Sequence, residues 1–196
     1  PSYLTLPVGA PERNLPLILI VHGGPWTRDD WGPDIQVQWL ANRGYAVLKV
    51  NFRGSAGFGR SFLNDGNGQW GGRMNDDLAD AVKWAVAQGL ADPKRVGITG
   101  GSYGGYATLA AATFTPDLYA CALAECGIYN VRTWLETIPS WWEPIKVRLL
   151  RRVGDALGDD AFNRRISPYF HAGAIKAKLF IVHPDHVTLP VPVTFP

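Results

Sequence analysis

Strand and helix patterns alternate along this chain, and its strands read as unbroken apolar runs. Leu17-Ile18-Leu19-Ile20-Val21 is the plainest of them. A run with no polar face has to be covered on both sides, which is the situation of a strand inside a parallel sheet flanked by helices. Tyr3 to Leu6, Tyr45 to Val50, Arg95 to Thr99, Tyr119 to Ala124 and Leu179 to Val182 read as the other strands. Helical patterns fall between them, from Asp34 to Asn42 with Gly44 as its cap, from Met74 to Gln88, and from Tyr103 to Thr113. Repeated β-α-β units of this kind predict an α/β fold with a doubly wound, mostly parallel sheet. Such sheets bind ligands beyond the carboxyl ends of their strands. The stretch from about Ala124 to Ser167 reads as irregular and rich in tryptophan.

The 196 residues suffice for one domain with a sizeable core. A net charge of +2 gives no reason to expect nucleic acid as a partner, and no apolar run approaches the roughly 18 residues that would span a membrane. Lys146, Arg148, Arg151 and Arg152 form the densest basic run and read as the solvated face of a helix. Cys121 and Cys126 fit neither a C-x-x-C redox pair nor a zinc site, so free thiols in a reducing cytoplasm are expected. The chain begins within a strand pattern and without a methionine, and reads as a fragment.

The chemistry is carried by Gly100-Gly101-Ser102-Tyr103-Gly104-Gly105, between a strand and a helix. It satisfies G-x-S-x-G, in which a sharp turn lifts the serine hydroxyl clear of the sheet. Glycines two residues to either side let strand and helix approach without a Cβ clash. The next backbone N–H, that of Tyr103, faces the reacting carbonyl, and the helix N-terminus favours an oxyanion there. A second motif, His22-Gly23-Gly24-Pro25, follows the first buried strand. In α/β-hydrolases an H-G-G loop supplies the second oxyanion donor, here assigned to the Gly24 N–H, with His22 in a packing role. A third, Asn51-Phe52-Arg53-Gly54-Ser55-Ala56-Gly57-Phe58-Gly59, lacks the spacing of a phosphate-binding loop, which excludes a nucleotide cofactor.

Taken in order, these motifs resemble the prolyl oligopeptidase family of serine peptidases, in particular its acylaminoacyl-peptidase and dipeptidyl-peptidase branch. The likeness runs from about Ser2 to His183 through S-Y-L-T-L-P, V-H-G-G-P-W, N-F-R-G-S-A-G-F-G, W-G-G-R-M-N-D-D-L, A-D-P-K-R-V-G-I-T-G-G-S-Y-G-G-Y, S-P-Y-F-H-A and L-F-I-V-H. It implies an α/β-hydrolase core with Ser102 as the nucleophile of a Ser-His-Asp triad, an oxyanion hole of Tyr103 and Gly24, and no metal or other cofactor. The family places an aspartate four residues beyond the L-F-I-V-H histidine, where this chain has Val187, and its catalytic histidine further downstream. The last strand and helix are accordingly expected to be missing, with residues 1–183 an incomplete core and 184–196 an atypical proline-rich tail. Asp185 and His186 lie in the loop that carries the family's acid and are the candidates for acid and base. Trp134, Trp141 and Trp142 are candidates for lining the substrate site.

The expected activity is that of a serine hydrolase acting on peptides or small esters through an acyl-enzyme. The competing expectation is a catalytically impaired fold that self-associates, or binds a partner, through an uncovered sheet edge.

Overall fold

A computed structural model describes residues 1–183 of the chain. Asp185 and His186 therefore lie outside the described residues, as does the tail 184–196. Six strands form one sheet in the order β1-β3-β2-β4-β5-β6, with β1 Ser2–Thr5, β2 Leu15–Val21, β3 Ala46–Val50, β4 Ala91–Gly101, β5 Cys121–Glu125 and β6 Lys178–Val182. β1 runs antiparallel to β3, and every other pairing is parallel. The mostly parallel, doubly wound sheet expected from the apolar runs is present.

β2 shows why its sequence carries no polar face. Leu15, Leu17, Leu19 and Val21 point into the main core, where Leu17 and Leu19 are fully buried. Ile18 and Ile20 point the other way, onto Val37 of helix α1 (Ile35–Ala41) and Val47 of β3. Burying each such side chain on both faces contributes about 1.5–3 kcal/mol. The main core is closed by helix α3 (Arg73–Ala87), through Met74, Leu78, Val82 and Ala85, and by helix α4 (Tyr103–Phe114), buried from Tyr103 to Thr113. Alanine at 107, 110, 111 and 112 keeps α4 slim enough to lie in the middle of the fold.

Three segments differ from expectation. The glycine-rich loop after β3 contains a short helix, α2 (Arg60–Asn64). The Asp92-Pro93 step reads as a turn, yet β4 begins at Ala91, with an irregularity in its pairing to β2 between Leu15 and Leu17. The tryptophan-rich stretch is largely helical: α5 (Val131–Glu136), a 3-10 turn (Ser140–Trp142), α6 (Glu143–Val153) and α7 (Asp160–Ile166). Side-chain caps account for two of these helices: Asn130 accepts from the Thr133 N–H, and Asp159 from the Phe162 N–H. α6 has Pro144 in its first turn, where proline costs no hydrogen bond.

Candidate active site

The strand order places the motifs. β3 lies on one side of β2 and β4 on the other, so the loops leaving β2 and β4 diverge around a crevice. This is the topological switch point, where open α/β sheets bind their ligands. The β2 loop begins with His22-Gly23-Gly24, and the β4 loop is Ser102 itself. A Cβ built on Gly23 would stand 3.6 Å from the Ser102 Cβ, so the two motifs touch.

Ser102 is held at φ 57° and ψ −119°, a conformation that L side chains rarely adopt. Its backbone over-determines it: the Ser102 N–H donates to the Glu125 carbonyl of β5 at 2.9 Å, and its own carbonyl accepts from the Tyr106 N–H at 3.0 Å. The glycines are required by contact. A Cβ at Gly100 would lie 2.5 Å from the Val21 carbonyl oxygen, and one at Gly104 would overlap that same oxygen. A Cβ at Gly105 would lie 2.5 Å from the Glu125 carbonyl oxygen. The serine is thus exposed between a buried strand and a buried helix. Tyr103 is the first residue of α4, so its N–H has no acceptor within the helix. Its side chain points inward: the hydroxyl contacts Met74 Sδ at 3.6 Å, and burial raises the phenol well above its ordinary pKa. Any role of Tyr103 toward a substrate therefore falls to its backbone.

His22 braces the other loop. Its ring stacks on Phe52 at 4.4 Å, Nε2 bonds the Ser55 hydroxyl at 2.9 Å, and Nδ1 bonds the Gly23 carbonyl at 2.8 Å. The Thr27 hydroxyl donates to the same carbonyl at 2.7 Å. Burial holds the imidazole below its ordinary 6.5, so it is neutral at neutral pH. The far end of the loop is pinned by Asn51, which accepts from the Asp29 N–H at 2.8 Å, and by Lys49, which bridges Asp29 and Asp34 at 2.9 Å each. The N-F-R-G loop has its own clamp. Asp77 accepts from the Arg53 backbone N–H and, through both oxygens, from its guanidinium at 2.8 and 2.6 Å. Asp77 is thus taken up by Arg53, while Asp76 is the acidic residue in the first turn of α3.

Behind Tyr103 lies an aromatic stack that sequence reasoning missed. Trp70, 2% exposed, meets Tyr103 at 4.8 Å, Tyr106 at 4.9 Å and Trp134 at 6.1 Å. Trp134 is thereby placed against the core behind the elbow, while Trp141 and Trp142 are 77% and 44% exposed on the 3-10 turn before α6. Among the described residues no histidine or carboxylate is hydrogen-bonded to the Ser102 hydroxyl. His22 is committed as above, and His171 Nε2 bonds the Arg164 carbonyl at 2.8 Å. Cys121 and Cys126 are free and exposed. Among the described residues no group of side chains is arranged to hold a metal ion, and no helix is long and apolar enough to cross a membrane.

A strained serine between strand and helix at the switch point of such a sheet defines an α/β-hydrolase core. Residues 31–187 match the prolyl oligopeptidase family profile, and the chain belongs to that family. It is 51% identical over 189 residues to dipeptidyl aminopeptidase BIII of Pseudoxanthomonas mexicana, covering 92% of this chain and 27% of that relative. It is 43% identical over 169 residues to dipeptidyl peptidase family member 6 of Caenorhabditis elegans, covering 85% of this chain and 23% of the relative. Among solved structures, the acylaminoacyl peptidase of Pyrococcus horikoshii superimposes with a TM-score of 0.82 at 29% identity, covering 93% of this chain and 29% of that one. A puromycin-hydrolyzing peptidase of Mycobacterium tuberculosis gives 0.83 at 32% identity, covering 92% and 28%. The chain thus spans about a quarter of the length of its curated relatives.

Proposed function

We propose that this chain is the catalytic portion of a serine peptidase that cleaves peptide bonds through an acyl-enzyme on Ser102. The observation that carries this reading is the exposed Ser102 at φ 57°, mounted at the switch point against the Gly23-Gly24 loop. In the proposed reaction a general base takes the Ser102 proton as Oγ attacks the scissile carbonyl. The Tyr103 and Gly24 N–H groups hold the oxyanion, the amine leaves with a proton from the conjugate acid of the base, and water then releases the acyl group. Asp185 and His186 are the proposed acid and base, and no metal is needed. Small activated esters are expected as alternative substrates, because acyl transfer to serine is the shared first step. The relatives' names, dipeptidyl aminopeptidase and dipeptidyl peptidase, favour substrates that yield short N-terminal units. The two free thiols fit a reducing, cytoplasmic setting. The competing expectation, a silent fold that self-associates, gains no support from relatives that are named as peptidases.

Hydrolysis of dipeptidyl and N-acylaminoacyl p-nitroanilides tests the proposal. Ser102→Ala should lower turnover by more than about 1000-fold, because the nucleophile itself is lost. Equal turnover by the two proteins would overturn it.

A further inference from the structure

Helix α6 carries a charge pattern that the acyl-transfer reading leaves unused. Arg148 and Arg152 are one turn apart, and both guanidinium carbons stand over the Trp26 ring, at 5.2 and 5.4 Å from its centroid. Neither makes an ion pair among the described residues, and the one acidic residue of α6, Glu143, is at the opposite end of the helix. Like charges at this spacing repel each other, so the pair is assembled against its own electrostatics. It is nevertheless held in place. Arg152 donates to Asn67 Oδ1 at 3.2 Å, its carbonyl accepts from the Gly68 N–H at 2.7 Å, and Leu149 and Val153 anchor α6 in the core.

The position of Trp26 connects this pair to the reacting serine. Trp26 is three residues beyond Gly23, whose Cβ position is 3.6 Å from the Ser102 Cβ. Three residues of chain reach at most about 11 Å. An extended peptide advances about 3.3 Å per residue, so a carboxylate a few residues from the bond cleaved at Ser102 is within reach of the two guanidinium groups. A guanidinium backed by an aromatic face, with donors still free, matches a carboxylate in shape and charge.

We propose that Arg148 and Arg152, backed by Trp26, form a carboxylate-binding subsite that selects peptides with a carboxylate a few residues from the scissile bond. The inference rests on Ser102 being the nucleophile. The carboxylate has two possible sources, a Glu or Asp side chain and the free C-terminus of a short peptide.

The test is a matched peptide series assayed by kcat/KM: a Glu-to-Gln exchange at successive positions in one arm, a free C-terminus against its carboxamide in the other. Wild type should favour the carboxylate member of one arm by roughly five- to tenfold, the scale of an exposed charge-assisted contact, and this ratio should shrink in high salt. In Arg148→Gln/Arg152→Gln the ratio should fall to about one, and in Arg148→Lys/Arg152→Lys most of it should return. Turnover without preference in either arm, or a ratio unchanged in the Gln pair, overturns the subsite alone. Absence of Ser102-dependent turnover across the whole series overturns the peptidase reading and the subsite with it.

Discussion

Strands β4 and β6 lie two places apart in one sheet, yet their surroundings differ. β4 is buried from Val96 to Gly100, with α4 packed against it and β2 and β5 on either side. β6 has no fully buried residue; Phe180 is 65% exposed and Val182 43%. The elbow at the end of β4 is therefore held by contacts of its own, from Val21, Glu125 and the Gly23 loop, none of which involves β6. The mount of Ser102 is thus built from β2, β4, β5 and α4.

The largest effect on this comparison should come from Gly104→Ala. Its Cβ would run into the Val21 carbonyl oxygen, and neither α4 nor β2 can withdraw without disturbing the core. A loss of about 3 kcal/mol or more in urea unfolding is expected. A similar contrast should separate the strands themselves. Ile98→Ala on β4 should cost about 2–5 kcal/mol. Phe180→Ser on β6 should stay within about 0.5 kcal/mol, as expected of an exposed position. A large loss for Phe180→Ser would mean that β6 supports the fold as β4 does.

Ser102→Gly should act in the opposite direction. It releases a residue held at φ 57°, and after the entropy of glycine is counted a gain of about 1 kcal/mol in thermal or urea unfolding is expected. A stability loss would mean that Ser102 is not strained.

A smaller effect should appear with pH. The folded His22 has a pKa below 6.5, so as pH falls the unfolded chain takes up this proton first. The stabilisation is complete above pH 6.5 and declines as pH falls through 6.5 toward the folded value. His22→Gln should flatten that part of the stability–pH curve. Asp34, held low chiefly by its hydrogen bond from Lys49, acts in a separate window: its contribution is present above 3.8 and declines as pH falls below that.

Much of the β4 side was legible in the sequence. The spacing of Gly100, Gly104 and Gly105 around Ser102 states which backbones must touch, and the apolar run at Leu17–Val21 states that both sheet faces are covered. What supports the site from a distance was not legible. His22 meets Ser55 across 33 positions and Arg53 meets Asp77 across 24, spacings that no local pattern announces. The helices after β5 are hard to see in the sequence because α5 and α7 are short, and Pro144 sits in the first turn of α6, where proline is tolerated. Trp70 stood in plain view in W-G-G-R-M-N-D-D-L, but its partners Tyr103, Tyr106 and Trp134 are joined to it only by folding.

The claim that Ser102 is a mounted nucleophile is tested most directly by a fluorophosphonate probe followed by peptide mass mapping. The account predicts a single adduct on Ser102, absent in Ser102→Ala and retained in Phe180→Ser. An adduct on another residue, or equal labelling of wild type and Ser102→Ala, would contradict it.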